Sequence, residues 1–323
     1  MPVLVTGASG FIGRHLTDKL LEGGMPIRVI TRYPDRLPSE WAGRVEVVAG
    51  SLTDTGVLKA ATTGMSLVFH LAGELFDASL MKAVNVDATY KLVRAAGAAG
   101  VKRFVHLSSV GVIGADDHGT ITEEKVCLPK NEYERTKLKG EHAVLEFARE
   151  ISFNAVVVRP STVFGEGVSR SRDSLLEWMR ALQKGRFAFI GQNARANYVY
   201  VGDVVEALLQ LSERTRPGGV IFHVVDPAPM RDFVGAMAEA LGVVHPTFTL
   251  PVWVAYVTAV GLEGANRILG TPAPLTLSRV RALSSSCSFS GEKLRACGKV
   301  TLPFGYRTGL MRTVRWYRET GKL

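Results

Sequence analysis

The sequence is short of the features that would mark an extracellular, metal-binding or membrane-spanning chain. It has three cysteines, Cys127, Cys287 and Cys297, odd in number and far apart, with no CxxC or Cys/His ligand spacing. A disulfide framework and a zinc site are therefore not expected. The seven histidines, His70 and His106 among them, form no ligand cluster, so no metal is expected. No nucleic-acid motif and no low-complexity tract occurs. The longest apolar stretch, LPVWVAYVTAVGL from Leu250 to Leu262, contains Pro251 and falls short of the ~20 residues that span a bilayer. It reads as a core helix, a wall of a substrate lobe or a surface that touches lipid. A strand begins within two residues of Met1, which leaves no room for a signal peptide and makes the cytoplasm the expected compartment.

What is present is a globular composition. The chain has 323 residues, 46% of them hydrophobic, and a formal net charge of +9. It exceeds the ~100 to 200 residues of an ordinary domain, which suggests one large α/β unit with a smaller lobe. Positive charge alone does not identify a partner. The densest basic stretch, Arg307, Arg312, Arg315 and Arg318, has apolar residues interleaved at helical spacing and reads as the solvated face of a terminal helix.

Short β-branched runs alternate with amphipathic stretches. Pro2 to Thr6, Ile27 to Thr31, Val45 to Val48, Leu67 to His70, Phe104 to Leu107 and Ala155 to Val158 read as strands. A first helix is predicted over Phe11 to Glu22, stopped by Gly23 and Gly24. Such repetition predicts a parallel sheet covered on both faces, with ligands at the carboxyl ends of its strands. After about Pro160 the rhythm loosens into a lobe interleaved with late sheet elements, Val220 to Val225 among them.

VLVTGASGFIGRHL places Gly7, Gly10 and Gly13 between the first strand and the first helix. Glycine there permits a tight turn and close approach of phosphate to backbone amides, and the helix N-terminus faces the pyrophosphate. The acidic residue that would bind the ribose of NAD at the tip of the second strand is missing. VITRYPDR offers Thr31 and then Arg32, which suits the 2'-phosphate of NADP and leaves NAD open. Tyr133 and Lys137, in NEYERTKLKG, share one helix face at i and i+4. A nearby cation favours phenolate, although moving a phenol from about 10 to 7 requires roughly 4 kcal/mol, more than one exposed pair supplies.

Six segments in order, TGASGFIG, HLAG, NVDAT, HLSSVGVIG, YERTK and VRPSTVFGEG, together resemble the extended short-chain dehydrogenase/reductase family, the NAD(P)-dependent epimerase/dehydratase group. The resemblance is strong to about residue 210, through NYVYVGDVVEAL, and looser beyond. It implies a Rossmann-type doubly wound parallel sheet over residues 1–160, with elements near 195–225 returning to it, and a smaller C-terminal substrate lobe over 161–323. It implies Ser109 as the hydroxyl that binds the reacting oxygen, Tyr133 as the acid-base residue and Lys137 as its partner on the nicotinamide ribose. Gly7, Gly10, Phe11, Ile12, Gly13, Arg32, Ser51, Leu52, Leu71, Ala72, Gly73, Pro160 and Val163 would hold the dinucleotide. For Asn85 a structural role and a cofactor contact are equally open. A small-molecule substrate is implied, and a homodimer is a common arrangement of the family.

Three departures bear on the substrate. Ser51 stands where an adenine-binding Asp is usual, Thr162 where sugar-nucleotide epimerases often have Asn, and Ala196 where they place a pyrophosphate-binding Arg, with Arg195 one residue earlier. Thr162 and Arg195 are the candidate substrate contacts. The C-terminal part is also similar to bacterial relatives of 3β-hydroxysteroid dehydrogenases. A nucleotide-activated sugar, a bulky apolar alcohol or ketone, and a non-catalytic NADP-binding role are the three readings carried forward.

Overall fold

The structure is a computed structural model, and it describes residues 1–323 except 115–117, 169–172, 214–216, 270–274 and 298, and except the side chains of 264–269. Seven parallel strands form the main sheet: β1 (Val3–Thr6), β2 (Ile27–Thr31), β3 (Val45–Ala49), β4 (Leu67–His70), β5 (Arg103–Leu107), β6 (Ala155–Pro160) and β7 (Val220–Val224). Their order is β7-β6-β5-β4-β1-β2-β3. The chain winds outward from β1 in both directions, so the strand order reverses between β1 and β4, and a crevice opens there at the carboxyl ends. The central strands are apolar along their whole length because both faces are covered, and every residue of β1, β4 and β6 is buried.

Ten helices position the site: α1 (Phe11–Glu22), α2 (Thr55–Thr62), α3 (Ala88–Ala98), α4 (Glu132–Glu150), α5 (Ser174–Gln183), α6 (Val201–Ser212), α7 (Met230–Leu241), α8 (Val252–Leu269), α9 (Leu277–Ser284) and α10 (Gly305–Glu319). The first helix occupies the predicted residues. Beyond β6 the chain leaves the sheet for short strand pairs, Thr162–Phe164 with Tyr198–Tyr200 and Phe189–Ile190 with Thr249–Leu250, and returns to pair β7 beside β6. The terminal helix α10 buries Leu310, Val314 and Tyr317 and leaves Arg307, Arg312, Arg315 and Arg318 exposed. Its N-terminus is held by two carboxylates: Asp203 accepts from the amides of Phe304 and Gly305 at 2.9 Å each, and Asp226 from that of Tyr306 at 2.7 Å. Among the described residues no helix is long and apolar enough to cross a membrane.

One ionic contact locks α4 against the sheet. Arg159 of β6 donates to Glu141 of α4 through Nε at 2.9 Å and Nη2 at 2.5 Å, with both side chains buried. Two charges removed from water are stable only when paired, and loss of one partner strands the other. Glu141→Ala is expected to cost about 3 to 5 kcal/mol, read as a lowered urea midpoint. A Glu141→Met/Arg159→Met double variant should lose clearly less than Glu141→Ala.

Candidate active site

A cleft of about 1100 Å³ runs along the carboxyl ends of the strands, across the point where the strand order reverses. That is large enough for a dinucleotide with room for a second molecule. Gly7, Gly10, Phe11, Ile12 and Gly13 line one end of it. Gly7 has φ +72°, and a Cβ there would lie 2.7 Å from the amide nitrogen of Ala72. A Cβ on Gly13 would collide with the carbonyl oxygen of Gly7. The turn therefore brings β1, α1 and the Leu71–Gly73 segment closer than any side chain allows, leaving bare backbone at the N-terminus of α1. These contacts fit a pyrophosphate.

Arg32, Ser51, Leu52, Leu71, Ala72 and Gly73 line the same end. Arg32 is exposed, and its guanidinium carbon lies 5.5 Å from the Tyr33 ring. Arg36 stands over that ring at 4.4 Å, so two guanidinium groups flank it. Ser51 Oγ is 2.8 Å from Thr53 Oγ1, which places two hydroxyls where a carboxylate is usual.

At the other end of the cleft are Ser109, Tyr133, Lys137, Pro160, Thr162 and Val163. The start of α4 is set by its own sequence. Asn131 accepts from the amide of Glu134 at 2.9 Å, and the Glu134 carboxylate reaches back to the amide of Lys130 at 2.7 Å, a reciprocal cap that fixes the turn bearing Tyr133. Ser109, two residues beyond β5, caps the following turn and accepts from the amide of Gly111 at 3.0 Å. Lys137 is buried and donates to the carbonyl of Leu107 at 2.6 Å. Burial lowers its ammonium to about 8, opposed by the Glu141 carboxylate. Beneath it lie His70 and His106, ring centroids 5.1 Å apart. His70 is lowered to about 3 by burial and then by Lys137, and His106 is lowered well below its ordinary value for the same two reasons. Both rings are neutral, and the lysine is the cation of this site.

Asn85, for which a structural role and a cofactor contact were equally open, and Arg195 are not among the residues that line the cleft. Asn85 is buried outside the cleft with its amide consumed internally: Oδ1 accepts from Glu74 N at 2.8 Å, while Nδ2 donates to Glu74 O at 2.9 Å and Thr136 Oγ1 at 3.1 Å. Asn85 thus ties the loop after Gly73 to the turn of α4 that bears Tyr133, with both side-chain amide hydrogens used within the protein. Arg195 also does not line the cleft; it sits in a short strand pairing Arg195–Ala196 with Ala228–Pro229, and its amide donates to Ser285 O at 2.8 Å. Ala196 is buried.

Other lining residues were not singled out by their sequence. Glu74 accepts from the amides of Leu75, Phe76 and Asp77 at 2.9 to 3.1 Å, bonds that hold its carboxyl below the ordinary range. The loop so folded presents Leu75 and Phe76 to the cleft, with Phe76 78% exposed. Val168 lines it as well, and so do Ser108, expected as the neighbour of Ser109, and Ser161, within the Pro160–Val163 segment expected near the nicotinamide. For Leu75 and Phe76, proximity to HLAG was the signal available. Among the described residues no group of three or more His, Cys, Asp or Glu side chains could hold a metal.

Comparison with known proteins places this geometry. A family model described as "NAD dependent epimerase/dehydratase family" matches residues 3–224. The chain is 28% identical over 90% of its length to the 3beta-hydroxysteroid-dehydrogenase/decarboxylase isoform 2 of Arabidopsis thaliana and spans 57% of that protein. It is 29% identical to a 4-hydroxy-2-methyl-3-oxo-4-farnesyl-3,4-dihydroquinoline-1-oxide ketoreductase of Stigmatella aurantiaca, over 93% of each chain. A solved structure described as MoeE5 in complex with UDP-glucose and NAD superimposes with a TM-score of 0.74 and 26% identity, covering 99% of both chains.

The Lys137 ammonium gives a testable pH signature. Its value is about 8 in the folded protein against 10.5 ordinarily. Between these two values the unfolded chain holds a proton that the folded chain does not, so stability rises with pH in that window and is flat below it. Lys137→Met should lack this rise. The stability difference between wild type and variant is expected to shift in favour of wild type by up to about 3 kcal/mol between pH 8 and 10.5, measured by denaturant unfolding.

Proposed function

Because the chain belongs to the NAD dependent epimerase/dehydratase family of extended short-chain dehydrogenases/reductases, we propose that its cleft interconverts a secondary alcohol and a ketone at Tyr133. The observation that carries this reading is that the glycine turn, Ser109, Tyr133 and Lys137 line one continuous cleft. A bound nicotinamide dinucleotide supplies hydride acceptance and donation. Tyr133 takes the hydroxyl proton when the carbinol carbon is oxidised and returns it when the ketone is reduced. Ser109 donates to the same oxygen and supports the charge that develops on it. Lys137, a buried cation one turn along the helix, favours the phenolate and reaches the ribose.

Arg32 and Arg36, flanking Tyr33, support NADP as the preferred dinucleotide, since an anionic 2'-phosphate is matched by guanidinium groups and would be repelled by a ribose-binding carboxylate at the tip of β2, where this chain has Thr31. For the substrate, a nucleotide-activated sugar is supported by the similarity to a structure holding UDP-glucose and NAD. A second reading, a bulky apolar alcohol or ketone, is favoured by one specific feature of the cleft. Its mouth carries Leu75 and Phe76, while Arg195 stands away from it and Ala196 is buried. The relatives named for a hydroxysteroid and for a farnesylated quinoline agree with that feature.

Tyr133→Phe is expected to lower kcat by about 10² to 10⁴ while leaving dinucleotide affinity within a few-fold of wild type. Unchanged turnover would remove Tyr133 from the reaction. Arg32→Ala should weaken NADP by roughly tenfold or more, the worth of a charge-assisted contact of about 1.5 to 3 kcal/mol, and leave NAD unaffected. Titration calorimetry with both dinucleotides reads this out. Thermal stabilisation by UDP-sugars or by hydroxysteroids, measured with the dinucleotide bound, distinguishes the two substrate classes.

A further inference from the structure

Helix α8 is mounted the wrong way round for a helix in water. Its inward positions are the small Ala255 and Ala259, fully buried against Ile190 and Val280. At 3.6 residues per turn the positions opposite them are 253, 257 and 260. These carry Trp253, Val257 and Val260, which are 71, 66 and 58% exposed. The approach to the helix continues the apolar ridge with Phe248 and Val244, both exposed. An ordinary surface helix puts charge on this face and its large apolar residues inside. From Val252 to Leu262 there is no charged residue, and the first acid, Glu263, turns toward α9, where it accepts from the amide of Leu277 at 2.9 Å.

Cations border the ridge. The strand Thr249–Leu250, which leads into α8, pairs parallel with Phe189–Ile190, and Phe189 N donates to Phe248 O at 3.0 Å. The exposed Lys184 and Arg186 lie just ahead of Phe189–Ile190 in the chain, on the turn that leads into the strand bonded to Phe248. Arg231 donates to Thr249 Oγ1 at 2.8 Å and lies over the Phe189 ring at 4.7 Å. Arg281 is exposed on α9, which packs along α8. Asp232 is the exposed carboxylate beside Arg231, and Glu177 is paired with Arg279 at 2.7 Å.

We propose that the α8 ridge, with Phe248, Trp253, Val257 and Val260, docks this protein onto the surface of an anionic lipid bilayer. A helix with one wholly apolar face, bordered by Lys and Arg, lies in the plane of a membrane interface with its apolar side among the acyl chains and its cations at the phosphates. Trp253 suits the boundary, with an apolar ring and an N–H that reaches the headgroups. A ridge one helix wide, ringed by like charge, does not match a second copy of the same chain, which would bring the same cations face to face. The inference rests on this surface alone and holds for either substrate class.

The test is flotation of the full chain with vesicles of phosphatidylcholine alone and of phosphatidylcholine containing about one third phosphatidylglycerol. The expected result is recovery with the anionic vesicles and at least tenfold weaker partition to the neutral ones. Trp253→Gln/Val257→Gln, on an exposed face where folding is unaffected, should lower partition at least tenfold with an unchanged circular dichroism spectrum. Lys184→Gln and Arg186→Gln should each lower it roughly fivefold. Wild-type protein that stays at the bottom of the gradient with anionic vesicles, or a double variant that floats like wild type, overturns the proposal. A wild-type dimer that the double variant converts to monomer, with no vesicle binding by either, would assign the ridge to a second copy and equally overturn it.

Discussion

The geometry of the Tyr133 end of the cleft depends on how α4 is held against the sheet. Glu141 meets Arg159 in a buried pair one residue before the end of β6. One turn toward the N-terminus, Lys137 hydrogen-bonds the last carbonyl of β5. At the level of Thr136, Asn85 reaches across from the neighbouring segment. These contacts come from three different parts of the chain and converge on one side of one helix. They fix its rotation and its height above the strands, and with them the direction in which Tyr133 enters the cleft. A buried ion pair is weak evidence for stability, because its desolvation offsets its attraction, but it tolerates little displacement. Its value here is positional.

The same burial sets the electrostatics. An ammonium without water is a costly charge, so Lys137 is lowered toward neutrality yet retains its proton near pH 7. His70 and His106, buried below it, cannot also be charged. At this end of the cleft the charge is carried by Lys137, four residues along α4 from Tyr133. The other end of the cleft obeys a different constraint, steric and not electrostatic. Gly7 and Gly13 let the backbone of β1, α1 and residues 71–73 meet without intervening side chains, so that amide groups face the ligand. The two ends are brought into one cleft by the reversal of strand order between β1 and β4.

Much of this was legible in the sequence, for a local reason. Strand and helix periods are properties of adjacent residues, and α1 and most strands of the sheet lie where the alternation of apolar runs puts them. The glycine turn and the Tyr133/Lys137 pair are likewise compact motifs, with spacings of three or four residues. Asn85 and Arg195 were different. In sequence, Asn85 has an amide suited to a cofactor; in the fold that amide is used up by Glu74 and Thr136, and Thr136 is 51 residues away. Arg195 is long enough to reach a diphosphate, but in the fold its backbone pairs with Pro229 and it is not among the residues that line the cleft.

The sequence by itself determined the element order, the glycine turn between β1 and α1 and the spacing of Tyr133 and Lys137 on one helix, because each is encoded by neighbours along the chain. It left the sense of α8 open, since Leu250 to Leu262 is apolar on all sides and no pattern distinguishes its faces. Tertiary structure decided that the alanines pack inward on Ile190 and Val280 while Trp253, Val257 and Val260 face out. Tyr256 packs partly against the same cluster. Tertiary structure likewise decided which polar side chains meet in the buried frame around α4, because hydrogen bonds and ion pairs between distant segments have no signature in either segment alone.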